Sequence, residues 1–235
     1  MAFGEKYAQN TFGKEVFNHN IFCLCGDGDL QEGISYEACS LAGLHKLDSL
    51  VLIYDSNNIS IEGDVSIAFN ENIKQRFVAQ GWEVFECDGH NFVEINTTLL
   101  NAINATKPSL IIAKTTIAKG ALELEGSHKA HGAPLGEEII KQAKQKLGFD
   151  NTKTFEIPAS VALRFANVKE RGELEELEWE RALSDEVRKR IFAMKDVGDI
   201  AFPHYELGKS LATRVSNGEI LNAIAKGVSG FIAEQ

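Results

Sequence analysis

Gly26-Asp27-Gly28 follows one short apolar run, Ile21 to Cys25, and Asn57-Asn58 follows a second, Leu50 to Tyr54. Each run has the length of a β-strand, and the helical pattern between them makes a βαβ unit. Its right-handed crossover brings both strand ends to one edge of the sheet, the edge where open α/β sheets bind ligands. Asp27 and Asn57, 30 positions apart in the chain, are therefore expected to be neighbours in space. Asp27 offers an anionic oxygen and Asn57 an amide oxygen, a pair that suits a hard cation such as Mg²⁺ or Ca²⁺. Gly26 and Gly28 carry no side chain, which leaves the Gly28 N–H free to approach a phosphate. The plain alternative is that both motifs are turns, since Gly, Asp and Asn are common turn formers; their occurrence at two successive strand ends favours the site.

The elements that must hold these residues read as alternating strands and helices over the first 115 or so positions. Ile34, Ala38, Leu41 and Ala42 fall on one helical face, and Asp55 and Asn58 read as turn formers beside the site. Helices are expected from about Glu71 to Gln80 and from Val93 to Ala105. Strands are expected at Trp82 to Phe85 and Leu110 to Ala113. That order implies an α/β fold, a parallel sheet with helices on both faces. From about Lys114 to Pro134 the pattern gives way to a loop rich in Gly, Lys and His, and Gly136 to Leu147 reads as a short helix. After Pro158 the character changes: Lys169 to Arg190 interleaves both charges at i, i+4 spacing, as a solvated connector helix does. Glu219 to Ala225 suggests one more helix. The organisation expected is a partial cofactor-binding domain over 1–155 and a helical linker over 156–235.

Composition narrows the function classes. With 34 acidic against 24 basic residues the net charge is −10, the opposite of the basic stripe that a nucleic-acid binder shows. An acidic chain also repels phosphate, so helix N-termini, backbone amides or a metal ion must supply the positive potential. No apolar run approaches the roughly 20 residues of a spanning helix. No secretory pattern opens the chain, which makes the cytoplasm the default expectation. Cys23 and Cys25 alternate within an apolar run and should share one face of a buried strand. With no second Cys or His pair at ligand spacing, zinc is excluded, and the four cysteines are expected as buried free thiols.

GDGDLQEGISYEACSLAG, IYDSNNISIEG and SHKAHGAPLG together resemble the diphosphate-binding domain of transketolases. The first motif and the NN pair are shared by thiamine diphosphate enzymes generally, and EGISYEACSLAG and HGAPLG narrow the resemblance to transketolase proper. It runs from Met1 to Gly230 and is strongest between Phe22 and Gly136. The resemblance implies thiamine diphosphate held with Mg²⁺ or Ca²⁺, and transfer of a two-carbon ketol unit from a ketose phosphate to an aldose phosphate. Asp27 and Asn57 would be metal ligands through their side chains and Ile59 through its backbone carbonyl, while Gly28 would donate its N–H to the diphosphate. Glu32 and Glu37 match carboxylates that relay protons across the interface of a homodimer. His131, within HGAPLG, matches a histidine near the cofactor that can bond ligand oxygens; His128 reads equally as a loop residue. The loop from Thr115 to Leu124 should fold over the cofactor, although its AKGALELEG departs from the GFGSPN-like form of many members.

The resemblance further implies that the chain opens inside the family's first domain and stops before the pyrimidine-binding domain, which carries the cofactor-activating glutamate. The 235 residues alone are then expected to show no turnover. Two other readings are one subunit of a split transketolase and a non-catalytic scaffold that kept the fold.

Overall fold

The computed structural model describes residues 1–194 and 197–232. Packing divides the chain into two compact units, Met1–Asn167 and Val168–Gln235.

The first unit is built on four parallel strands. β1 (Ile21–Cys25), β2 (Leu50–Ser56), β5 (Glu83–Asp88) and β6 (Ser109–Lys114) stand in the order β1-β2-β6-β5. Between β2 and β5 a small antiparallel hairpin, β3 (Ile59–Ser60) with β4 (Gly63–Asp64), leaves the sheet edge. The strands of the central pair alternate between two cores. Leu52, Tyr54, Leu110 and Ile112 face a cluster that includes Ala42 and Phe77. These two come from α2 (Gly33–Leu44) and α3 (Ile73–Ala79). Val51, Ile53, Ile111 and Ala113 face the other cluster, with Ala102 of α4 (Phe92–Ile103). Burial on both faces is why β2 and β6 read as unbroken apolar runs rather than alternating ones.

Several sequence expectations need correction. β1 is an edge strand, not a buried one: Phe22 is 54% and Leu24 79% exposed; they pair with Val51 and Ile53, but the cluster that those two form with α4 does not extend to them. The cysteines divide accordingly, with Cys39 and Cys87 buried, Cys25 half-buried and Cys23 exposed. On α2 the packed positions are Cys39 and Ala42, while Ile34 is 70% exposed and Ala38 is exposed as well. The opening helix α1 (Ala2–Phe12) was not anticipated, because its apolar positions, Ala2 and Phe12 among the buried ones, lack a clear helical stripe.

The second unit begins inside α6 (Ala159–Ala182), which follows the short α5 (Glu137–Lys146). The charged stretch is two helices rather than one. α7 (Asp185–Ala193) starts afresh because the Ser184 side chain accepts the Val187 N–H and two acidic residues occupy the first turn, both favourable at a helix N-terminus. Ion pairs such as Arg171 to Glu175 at 3.3 Å line α6, whose described residues include no buried one. α8 (Thr213–Gly227) closes the unit. Among the described residues no helix is long and apolar enough to cross a membrane.

The seam between α2 and α3 positions the turn after β1. Trp82 donates its indole N–H to the Cys39 carbonyl at 2.8 Å and meets Phe77 edge to face at 5.1 Å. Arg76 lies 4.1 Å from the centre of the Tyr36 ring, pairs with Glu71 at 2.9 Å and reaches the Leu30 carbonyl at 3.1 Å. Gly43 allows the close approach: a Cβ there would lie 1.7 Å from the Gln80 carbonyl oxygen, a backbone atom that cannot swing aside. Gly43→Ala is expected to destabilise the first unit by about 3 kcal/mol, as overpacking does. Gly33→Ala, where a Cβ meets nothing within 4 Å, should be near neutral; equal chemical denaturation midpoints for the two variants would refute the assignment.

Candidate cofactor and metal site

The carboxyl ends of β1 and β2 and the loop after β6 surround a cleft of about 810 Å³. Gly26, Asp27, Gly28, Asn57, Ile59 and His131 all line it, so the structure brings together six of the residues singled out from the sequence. Glu32 and Glu37 are not among them: Glu32 precedes α2 and Glu37 lies on it, both exposed. His128 opens the 3₁₀ turn leading to His131 and does not line the cleft.

Asp27 is placed by the strand pairing. Cys25 stands in register with Tyr54, so the residue two positions on lies beside the Tyr54 ring, and the Tyr54 hydroxyl donates to Asp27 Oδ1 at 2.5 Å. Both residues are only 6% exposed. The other carboxylate oxygen, Oδ2, is buried without a hydrogen-bond partner. Burial pushes the Asp27 carboxyl above its ordinary value of 3.8. The Tyr54 hydroxyl and, from outside hydrogen-bonding geometry, the nearby backbone N–H groups of Asn57 and Asn58 pull against it, and Asp55 adds repulsion.

The turn after β1 is self-supporting. Asp29 accepts the Gly26 N–H at 2.8 Å, and Ser35 donates to the Asp29 carbonyl at 2.5 Å. Gly28 has φ −63° and ψ −41°, a conformation open to any residue, and a Cβ there would meet nothing within 4 Å. The protein itself does not require glycine at this position; the empty space is on the cleft side of the problem. At the end of β2 the Ile59 N–H donates to Asn57 Oδ1 at 2.9 Å, and Asn58 takes the left-handed conformation at φ 60°, which Asn tolerates.

The loop after β6 is pinned at both ends. Thr115 donates its hydroxyl to Asp55 and its N–H to the Ser56 carbonyl. The Thr116 N–H donates to His90 Nε2 at 2.9 Å, and Ile117 then joins the cleft lining. Glu125 closes the loop by accepting from Lys119, the Gly120 N–H and Lys146, and these hold its carboxyl down at about 2. Tyr54, Thr115 and His90 escaped the sequence reading. The one available signal was Tyr54, a tyrosine in an apolar strand whose hydroxyl needs a partner once buried.

Asp27, Asp29, Asp55 and Glu62 line the cleft, and no Lys or Arg does. Among the described residues no group of three or more His, Cys, Asp or Glu could hold a metal by itself. A divalent cation is nevertheless suited to the buried, unpartnered Asp27 Oδ2, with neutral oxygens nearby to complete its shell.

A parallel sheet covered by helices, with an acidic cleft at its carboxyl edge and a glycine turn open to a ligand, defines the class of α/β cofactor-binding domains. Residues 1–201 match the family model of the transketolase thiamine diphosphate binding domain, and the chain belongs to the transketolase family. It is 41% identical to the transketolase of Bacillus subtilis over 249 residues, covering 99% of this chain and 37% of that protein. Among solved structures, the transketolase of Campylobacter jejuni is 59% identical with a TM-score of 0.89, covering 98% of this chain and 37% of that one. A Pichia stipitis transketolase in complex with sedoheptulose 7-phosphate is 29% identical with a TM-score of 0.79, covering 97% and 37% respectively. The chain thus spans little more than a third of the length of these relatives.

Two measurements probe this geometry. A carboxyl whose folded pKa is raised stabilises the fold below its unfolded value, and that contribution is lost as pH rises through the folded pKa. Without divalent cation, the wild type should therefore lose thermal stability relative to Asp27→Asn as pH rises above the ordinary carboxyl value of 3.8 and through the raised folded value; parallel melting curves would contradict it. In the loop, Ala118 sits at φ 51°, the left-handed region that favours glycine. Ala118→Gly is expected to stabilise the chain by about 1 kcal/mol, the order of a left-handed alanine's strain, read as a raised melting temperature.

Proposed function

We propose that this chain grips the diphosphate end of thiamine diphosphate through a divalent cation, Mg²⁺ or Ca²⁺, as part of a transketolase. That enzyme would move a two-carbon ketol unit from a ketose phosphate to an aldose phosphate. The observation that carries the reading is the buried Asp27 carboxylate, with Oδ2 unpartnered, in a cleft lined by four acidic residues and no Lys or Arg. Such a cleft repels a diphosphate unless a cation intervenes, because a bound cation is the largest local charge.

Asp27 Oδ2, the Asn57 amide oxygen and the Ile59 carbonyl would supply the protein's share of the cation's oxygens, leaving places for phosphate oxygens and water. The Gly28 N–H would donate to the diphosphate from a turn with room for it. His131 would hydrogen-bond ligand oxygens and assist proton transfer. When bound, thiamine diphosphate supplies the carbanion chemistry of ketol transfer; the chain's own part is to anchor and orient it and to exclude water with the Thr115–Leu124 loop. Residues 1–155 are read as the part that holds the diphosphate and 156–235 as the linker.

Glu32 and Glu37 are read as carboxylates at the contact of a homodimer. Support comes from α2, where exposed Ile34 and Ala38 present an apolar patch beside them. A cytoplasmic location fits this chemistry.

Calorimetric titration of the purified chain with thiamine diphosphate, with and without Mg²⁺, tests the reading. Binding should require the cation and vanish in Asp27→Ala. Gly28→Ala should melt like the wild type yet bind roughly 1.4 kcal/mol more weakly, about tenfold in Kd. A folded wild-type chain that ignores the cofactor in the presence of Mg²⁺ would overturn it.

A further inference from the structure

We infer that His90 is a positioning residue that holds the Thr115–Leu124 loop at the cleft only while its imidazole is neutral, which makes cofactor affinity depend on the protonation of His90. The inference rests on the reading of the cleft as the thiamine diphosphate site.

The Thr116 N–H donates to His90 Nε2 at 2.9 Å. A backbone amide can only donate, so Nε2 is the accepting nitrogen and the ring proton of the neutral form sits on Nδ1. The turn between β5 and α4 that carries His90 is braced from within. The His90 N–H donates to Asp88 Oδ1 at 2.9 Å and the Asn91 N–H to the Asp88 carbonyl at 3.0 Å. Glu94 accepts from both the Asp88 N–H and the Asn91 side chain. The same turn is pressed against the start of the loop. The Gly89 N–H donates to the Lys114 carbonyl at 2.8 Å, and a Cβ at Gly89 would lie 2.5 Å from Thr115 Cγ2.

What His90 holds reaches the cleft. Ile117, next to Thr116, lines it, and the Ile117 carbonyl accepts the Gly126 N–H at 2.9 Å, which closes the loop into a ring. Beyond that ring Ala130, His131 and Gly132 line the same cleft. The hydrogen bond at Thr116 therefore sits at the root of a segment that meets the ligand at both of its ends.

Protonation removes the acceptor. An imidazolium carries a proton on each nitrogen, so the Thr116 N–H would face another donor. Histidine is the side chain whose charge changes between about pH 5 and about pH 8. The charged groups on the elements that meet at the turn are Asp88 and Glu94 beside His90, Asp55 at the end of β2, and Lys114 and Lys74, both paired with Glu86. The three carboxylates beside the turn are bonded elsewhere, Asp88 to the His90 N–H, Glu94 to the Asp88 N–H and Asp55 to Thr115.

His90→Gln keeps an acceptor at the place of Nε2 and cannot titrate, whereas His90→Ala keeps none. Thiamine diphosphate with saturating Mg²⁺ is titrated calorimetrically into the wild type and both variants between about pH 8 and about pH 5.5, across the histidine range. The cofactor and Asp27 titrate in all three proteins, so ratios of Kd isolate His90. The wild type should match His90→Gln at the alkaline end and bind about fivefold more weakly than it at the acid end, the size of one net hydrogen bond. His90→Ala should be weaker than His90→Gln by about the same factor at both ends. A ratio of wild type to His90→Gln that stays flat with pH would overturn the inference and leave His90 as a turn residue. A folded wild type that ignores the cofactor even at the alkaline end would overturn the cofactor reading of the cleft, and this inference with it.

Nuclear magnetic resonance of the wild type labelled with ¹⁵N-histidine gives a check that needs neither variant nor cofactor. At the alkaline end His90 should carry its proton on Nδ1, and the Thr116 amide resonance should follow the titration of the ring. A neutral ring with its proton on Nε2 would refute the inference.

Discussion

The parallel pairing of β1 with β2 is the constraint on which the site depends. Placing Cys25 opposite Tyr54 does three things at once. It sends the chain out of β1 at Gly26 beside the end of β2, it puts the Asp27 carboxylate next to a buried phenol, and it leaves Asn57 immediately after the last residue of β2. A slip of one residue would turn Tyr54 to the opposite face and leave Asp27 with no hydroxyl partner. The helices reinforce the register rather than create it. α2 and α3 close over one face through Gly43, Trp82 and Arg76, and Arg76 bonds the Leu30 carbonyl in the turn that follows Asp27.

Charge sets the second requirement. A chain of net charge −10 with four acidic residues and no Lys or Arg lining its cleft is a poor receptor for any phosphate. The lining shows that the cleft does not solve this with arginine or lysine. What it offers instead is a carboxylate kept dry, whose burial already makes its charged form costly. Such a group is relieved by a cation, and the same cation relieves the ligand. Lys119 of the loop and Lys146 at the end of α5 pair with Glu125, where they shape the loop and not the cleft.

Much of the fold was legible because strands buried on both faces and a helix between them leave strong marks. The four sheet strands, the parallel architecture and the pairing of Asp27 with Asn57 at one edge all follow from apolar runs broken by Gly, Asp and Asn. The misreadings have a common physical origin. Periodicity reports that a residue is apolar, not what covers it, so β1 read as buried although it is the sheet's edge. Ile34 and Ala38 likewise read as core although they stand exposed. The break between α6 and α7 was hidden in a stretch of uniform charge, where only Ser184 as a cap marked it.

By itself the sequence determined the element order, the two glycine- and asparagine-bearing strand ends, and a family resemblance dense enough to name site residues. These are local or nearest-neighbour properties: strand patterns, turn formers and the handedness of a single crossover. Only the tertiary structure decided that Tyr54 donates to Asp27, that Thr115 and His90 pin the loop, and that Gly28 faces open space while Gly43 faces a backbone carbonyl. Those facts depend on register and on which elements pack together across 26 to 60 positions of chain, and no short window of sequence contains both partners.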